Sequence, residues 1–191
     1  YRAINAMCSD GMGGTTPCFD ALNNAIAPRV YLGRAIAPVE MSFTSDLAVG
    51  QGVRFHVLFT SEQGHKRFDN TLRQRCRLYT VCRENAYPEE WDPIMQATVQ
   101  SSDQIVDSWI NDVSFIRLKE VSLSYDLPER IVQGFGMSSA TWQIAGRNLL
   151  TFTDWTASDP ETIFSSGTRP FFHQNNLPLP QQIVTSIRFS F

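Results

Sequence analysis

The sequence predicts an all-β fold: an antiparallel transmembrane β-barrel wall of the outer-membrane kind, crossing the bilayer with strands instead of helices. Three observations predict it. Several segments alternate apolar and polar side chains with a period of two, short turns alternate with long loops along the chain, and no run of eighteen apolar residues offers a membrane helix. The chain has 191 residues, 42% of them hydrophobic, and a mean hydropathy of -0.20. A near-neutral hydropathy separates nothing here, because a barrel strand needs an apolar residue only at every second position. The formal net charge of -3 gives no basic surface for a nucleic acid.

The first strand runs over about 39–49. Its odd positions read Val39, Met41, Phe43, Ser45, Leu47 and Val49, and its even positions Glu40, Ser42, Thr44, Asp46 and Ala48. One face is apolar and the other polar. Gly50-Gln51-Gly52 suits a tight hairpin turn, and a second strand over about 53–62 follows, with Val53, Phe55, Val57 and Phe59 in phase. The third strand covers about 113–126. Val121, Leu123 and Tyr125 share one phase while Ile116 and Leu118 sit in the other, so a β-bulge is expected near Lys119-Glu120. The fourth strand, about 141–152, places Trp142, Ile144, Gly146, Asn148, Leu150 and Phe152 on one face and Gln143, Ala145, Arg147 and Leu149 on the other. The fifth, about 182–191, alternates Ile183, Thr185, Ile187, Phe189 and Phe191 with Val184, Ser186, Arg188 and Ser190. A sixth strand is added if residues 29–32 pair.

Between these strands lie three long segments with weak regular pattern, about 1–37, 63–112 and 153–180; only 103–109 within them reads as a short helix. Placing Phe191 on the periplasmic side makes the connections at 50–52 and 126–139 inner turns and all three long segments extracellular loops. Both inner turns are then short and every outer loop is long, which is how bacterial barrels are built. The four cysteines, Cys8, Cys18, Cys76 and Cys82, fall in those outer loops as two local pairs. Neither spacing is C-x-x-C, and no His stands beside them as a zinc ligand would. Four cysteines allow three connectivities, and the two local disulfides Cys8–Cys18 and Cys76–Cys82 are the expected ones, in an oxidising compartment. The chain starts Tyr1-Arg2-Ala3, so a secretion signal is expected upstream or already removed.

Three blocks carry a family resemblance. Residues 112–128, Asp-Val-Ser-Phe-Ile-Arg-Leu-Lys-Glu-Val-Ser-Leu-Ser-Tyr-Asp-Leu-Pro, resemble a stretch near the end of the SusC/RagA class of TonB-linked outer-membrane transporters. Residues 145–153, Ala-Gly-Arg-Asn-Leu-Leu-Thr-Phe-Thr, are similar to the next family strand, with Asp159-Pro160-Glu161 after it. Pro178-Leu179-Pro180 and the closing Ile187-Arg188-Phe189-Ser190-Phe191 resemble the final strand. The resemblance implies a C-terminal fragment of a barrel of about twenty-two strands with a plugged lumen. It implies nutrient uptake, of oligosaccharides or peptides, across the outer membrane of a Gram-negative bacterium. The implied partners are the lipid bilayer, the TonB complex acting through a plug absent from these residues, a SusD-like surface lipoprotein and the barrel assembly machinery. By the same resemblance Ile187, Phe189 and Phe191 form the aromatic-ended signal that this machinery reads.

The residues themselves suggest no catalysis and no cofactor. His56, His65 and His173 come without a G-x-S-x-G or comparable nucleophile motif, and His56 falls on the polar, lumen-side face of its strand. Glu84, Glu89, Glu90 and Asp92 lack the alternating rhythm of a calcium loop. Tyr87, Trp91, Trp155 and Phe171-Phe172 are candidates for stacking on a ligand, set against the aromatic packing that barrels place at both interfaces. The rival fold is a soluble β-sandwich serving as a glycan-binding or adhesion module, which requires a second sheet over the apolar strand faces.

Overall fold

The alternation that starts at Val39 becomes a five-stranded antiparallel sheet in the computed structural model, which describes residues 7–9, 12, 15–17, 31–87, 109–162, 164–166 and 169–191. Near the start, β1 (Met7–Ser9) pairs antiparallel with β2 (Thr15–Pro17). The large sheet holds β3 (Val39–Val49), β4 (Val53–Gln63), β7 (Phe115–Asp126), β8 (Ser139–Thr153) and β11 (Gln182–Ser190), neighbouring one another in chain order. Consecutive antiparallel strands need only local turns. Gly50 and Gly52 supply the first, at φ +59° and +87°. The Gly52 carbonyl accepts the Asp126 N–H at 2.8 Å, and a Cβ on Gly52 would meet the Asp126 carbonyl oxygen at 3.0 Å. The second turn carries a short helix, α3 (Glu129–Gln133).

Register decides which side chains share a face. Phe43 lies opposite Phe59, which lies opposite Leu118, which in turn lies opposite Leu150. Lower down, Leu47, Phe55, Leu123 and Ile144 form a second row across four strands. The phase conflict at Lys119-Glu120 is resolved by an irregular register: Leu58 faces Glu120 and Phe59 faces Leu118, leaving Lys119 as the extra residue. The next strand carries its own extra residue, since Leu118 faces Leu150 but Glu120 faces Arg147. Asn148 absorbs that offset at φ +52°, a conformation short polar side chains tolerate best, and its Nδ2 donates to the Pro180 carbonyl at 3.1 Å. Leu149 then folds over Gly146, where a Cβ would come within 2.9 Å of it.

The long segments over 63–112 and 153–180, where the sequence shows only a weak regular pattern, contain short strands and helical turns. The chain divides into two compact units, one of Tyr1–Ile36, Gly64–Val113 and Trp155–Leu177, the other of Ala37–Gln63, Ser114–Asp154 and Pro178–Phe191. The first has its own four-stranded sheet in the order β6-β5-β10-β9, from β5 (Lys66–Asp69), β6 (Ile110–Asp112), β9 (Phe164–Ser166) and β10 (Arg169–His173). The β5 and β10 pair is parallel and joins two excursions far apart in sequence. Strands of three to five residues are too brief for their alternation to be recognised, and their partners are not adjacent in sequence. After β5 come α1 (Asn70–Arg73), one π-helical turn over Gln74–Leu78, and α2 (Arg83–Ala86). The third long strand starts at Phe115, not 113, because the Val113 N–H is donated to the His65 carbonyl in the first unit at 3.1 Å. Tyr31 and Leu32 lie in no strand, while Arg29 and Val30 fall outside the described residues, as does 103–108 of the expected helix.

Candidate functional site

The five-stranded sheet presents two chemically opposite faces. On the apolar one, large side chains stand uncovered: Phe43 is 60% exposed, Phe152 59% and Ile187 57%. A contiguous apolar surface of this extent is costly in water and favourable in hydrocarbon. The indole donor of Trp142 is satisfied within the face, since its Nε1 donates to Thr185 Oγ1 at 2.9 Å. An indole N–H facing lipid needs such a partner, as no water replaces it.

The opposite face carries cross-strand polar pairs, two of them Arg–carboxylate ion pairs. Arg54 donates a fork of two hydrogen bonds to the Asp126 carboxylate at 2.8 and 2.9 Å, and Thr141 Oγ1 donates to the same carboxylate at 2.7 Å. His56 Nδ1 stands 2.7 Å from Asp46 Oδ1, and Arg147 Nε donates to Glu120 Oε2 at 3.1 Å. Arg54, His56, Asp46 and Glu120 edge a shallow groove of about 440 Å³. Pairs this exposed contribute only about 0–1 kcal/mol each, so their clustering marks a wet surface more than a source of stability. His56, expected on the polar side of its strand, is on it.

The first unit contains a buried polar joint that sequence reasoning missed. In the parallel register of β5 and β10, His173 lies directly opposite Asp69, and both are almost fully buried. Trp155 packs edge-on against the His173 ring, with centroids 5.8 Å apart. Arg67, also buried, donates through Nη1 to the carbonyls of Pro160 and Thr162. Asp159 Oδ1 accepts the Glu161 N–H at 2.8 Å, closing the turn that Arg67 clamps. The Asp159-Pro160-Glu161 block is thus a fastening of one excursion to another. Buried Arg, Asp and His in unrelated stretches give no local signal; the Asp-Pro-Glu block was the only clue.

Titration at this joint has a definite sign. Burial pushes the Asp69 carboxyl above the ordinary carboxylate range, opposed by the Leu72 N–H, His173, the Thr71 N–H and Arg75. Burial likewise pushes His173 below the ordinary imidazole range, with Asp69 pulling it back. A carboxyl with a raised folded pKa holds its proton where the unfolded chain has lost it, so its burden on stability grows as pH rises through that window. Asp69→Asn keeps a side-chain acceptor for the Leu72 N–H and removes the ionisation. We expect this variant to protect residues 66–73 of the full-length protein from amide exchange at least as well as wild type at pH 7. Any advantage should vanish below about pH 4, the ordinary carboxylate range. Weaker protection at pH 7 would show that the ionised carboxylate stabilises the joint.

The other sequence-predicted residues separate. Cys76 and Cys82 are joined by a disulfide, buried with Trp109 and packed by Phe68 and Leu72. The Cys8–Cys18 pairing lies outside the described residues, as do Trp91, Glu89, Glu90 and Asp92. Tyr87 is exposed beyond the end of α2. Trp155, a candidate ligand contact from the sequence, is buried and packs T-shaped with His173. Among the described residues no group of three or more His, Cys, Asp or Glu is placed to hold a metal. Ile187 and Phe189 stand exposed on β11, an outer strand of the sheet, with Phe191 just beyond it.

A meander with one bare apolar face, one ion-paired face, and short turns at one end against long excursions at the other defines the wall of an outer-membrane β-barrel. No protein-family model matches the chain. It is 40% identical over 139 residues to TonB-dependent receptor P3 of Formosa agariphila, and 26% identical over 143 residues to TonB-dependent receptor P26 of the same organism. These matches cover 71% and 69% of this chain, and it spans only 14% of each relative. Among solved structures, a RagAB peptide importer in a closed-closed state superposes with a TM-score of 0.66 at 23% identity, over 98% of this chain and 20% of that one. A RagAB peptide transporter structure gives 0.64 at 22% identity, over 100% and 21%. The chain is thus similar to a part of TonB-dependent receptors and shares the fold of the RagAB structures.

Proposed function

We propose that these five strands are a consecutive stretch of barrel wall in a TonB-dependent importer of a Gram-negative outer membrane. The importer takes up peptides or oligosaccharides together with a SusD-like surface lipoprotein, and TonB acts through a plug carried elsewhere in the full-length protein. The carrying observation is the sheet's two faces, one bare and apolar, the other lined by the Arg54–Asp126, His56–Asp46 and Arg147–Glu120 pairs. The similarity to structures of a peptide importer supports the peptide branch. β11, with Ile187, Phe189 and Phe191, serves as the strand that the assembly machinery engages. The role assigned is transport, and no step of chemistry. The exposure of Phe43, Phe152 and Ile187 supports this reading over the sandwich, since no second layer covers that face among the described residues.

The test is uptake by cells carrying the full-length gene, supplied with labelled oligopeptides or labelled oligosaccharides, with and without a functional TonB. Accumulation of either class that disappears without TonB is the expected result. A full-length protein recovered as a soluble monomer without detergent would overturn the reading.

A further inference from the structure

Two rows of facing residues cross the ion-paired side of the large sheet beside its short turns. In one, Arg54 lies opposite Ser124, Ser124 opposite Gln143, and Gln143 opposite Ser186. In the other, Asp126 lies opposite Thr141 and Thr141 opposite Arg188. All of these residues except Asp126 line a cavity of about 170 Å³. Its charges do not cancel. Arg54 is held by Asp126 through two hydrogen bonds, and Arg147 elsewhere on this face is held by Glu120. Arg188 has no hydrogen-bond or ion-pair partner among the described residues, although it lines the cavity together with Arg54 from three strands away. Two guanidiniums against the single Asp126 carboxylate leave one positive charge at the cavity. At about 30 Å³ for each water, the space equals five or six waters, enough for a carboxylate and the few atoms behind it.

We propose that this cavity binds one carboxylate, the free end of a peptide in transit along the inner wall, with Arg188 as its principal partner. The planar guanidinium fork matches a carboxylate in two-point contact, and the hydroxyls of Ser124 and Ser186 add neutral donors beside it. One net positive charge suits a monoanion, whereas a doubly charged phosphate would also meet Asp126. No aromatic side chain lines the cavity, so a sugar ring has no flat surface to stack on, and the terminal carboxylate of an oligopeptide fits it better than an oligosaccharide does. The site rests on the importer reading given above, which makes this face the inner one.

The experiment measures binding to the full-length protein in detergent of an N-acetylated tripeptide with a free carboxylate, and of the same tripeptide ending in an amide. Wild type should bind the acid about tenfold tighter than the amide, as a charge-assisted hydrogen bond provides, and the preference should shrink at high salt. Arg188→Gln should lose the preference and Arg188→Lys should keep part of it. Arg130→Gln, which removes an exposed charge outside the cavity, should keep all of it. Heat-resistant migration of the Arg188 variants should equal that of wild type. A preference for the acid that survives Arg188→Gln overturns the site, as does a wild type that binds both forms equally. Equal binding by wild type, with a plug that turns protease-sensitive in Arg188→Gln, overturns it in favour of a plug carboxylate held by Arg188. The importer reading fails separately, by uptake that does not require TonB, and an acid preference lost with Arg188 would stand even then.

Discussion

In the full-length protein, Phe43→Arg and Ile187→Arg are expected to lower the level of assembled barrel sharply, and Thr44→Arg and Ser186→Arg to leave it near wild type. Phe43 and Ile187 belong to the apolar face, one on each outer strand of the five-stranded sheet. Thr44 and Ser186 are their immediate neighbours and point the other way, since successive side chains of a strand alternate faces. An arginine facing lipid near the bilayer midplane costs about 2–4 kcal/mol, whereas one added to a wet face joins Arg54 and Arg147 at little cost. Heat-resistant migration of the barrel in detergent gives the readout. Equal damage at all four positions would mean two dry faces, as in a sandwich core.

The second large effect concerns the first unit. Arg67→Met should destabilise it by about 3 kcal/mol, because the carbonyls of Pro160 and Thr162 lose a charged donor in a buried setting. Arg67→Lys should fall between, since an ammonium cannot reproduce the planar geometry of a guanidinium. Amide exchange should rise in 64–69 and in 155–162 together, with the barrel level unchanged. Exchange that rises in only one of the two stretches would show that Arg67 does not fasten them.

Both predictions indicate where information about this fold resides. The five long strands, their two faces and the short and long connections are encoded locally. Apolar residues at most of the alternate positions from Val39 to Val49, with Ser45 the exception, or from Ile183 to Phe189, with Thr185 the exception, specify a two-faced strand without reference to any partner. The bulge was legible too, because the phase switch between Leu118 and Val121 is itself a local feature. What the tertiary structure alone decided is how the excursions fold. Pairing of β5 with β10 and the clamp from Arg67 to Pro160 join residues about ninety to a hundred positions apart, and Trp155 is buried against His173 of that same β10. Strands of three to five residues carry too few alternations to reveal a face, and a buried Arg or Asp reads from sequence as a solvated loop charge until its partner is brought beside it.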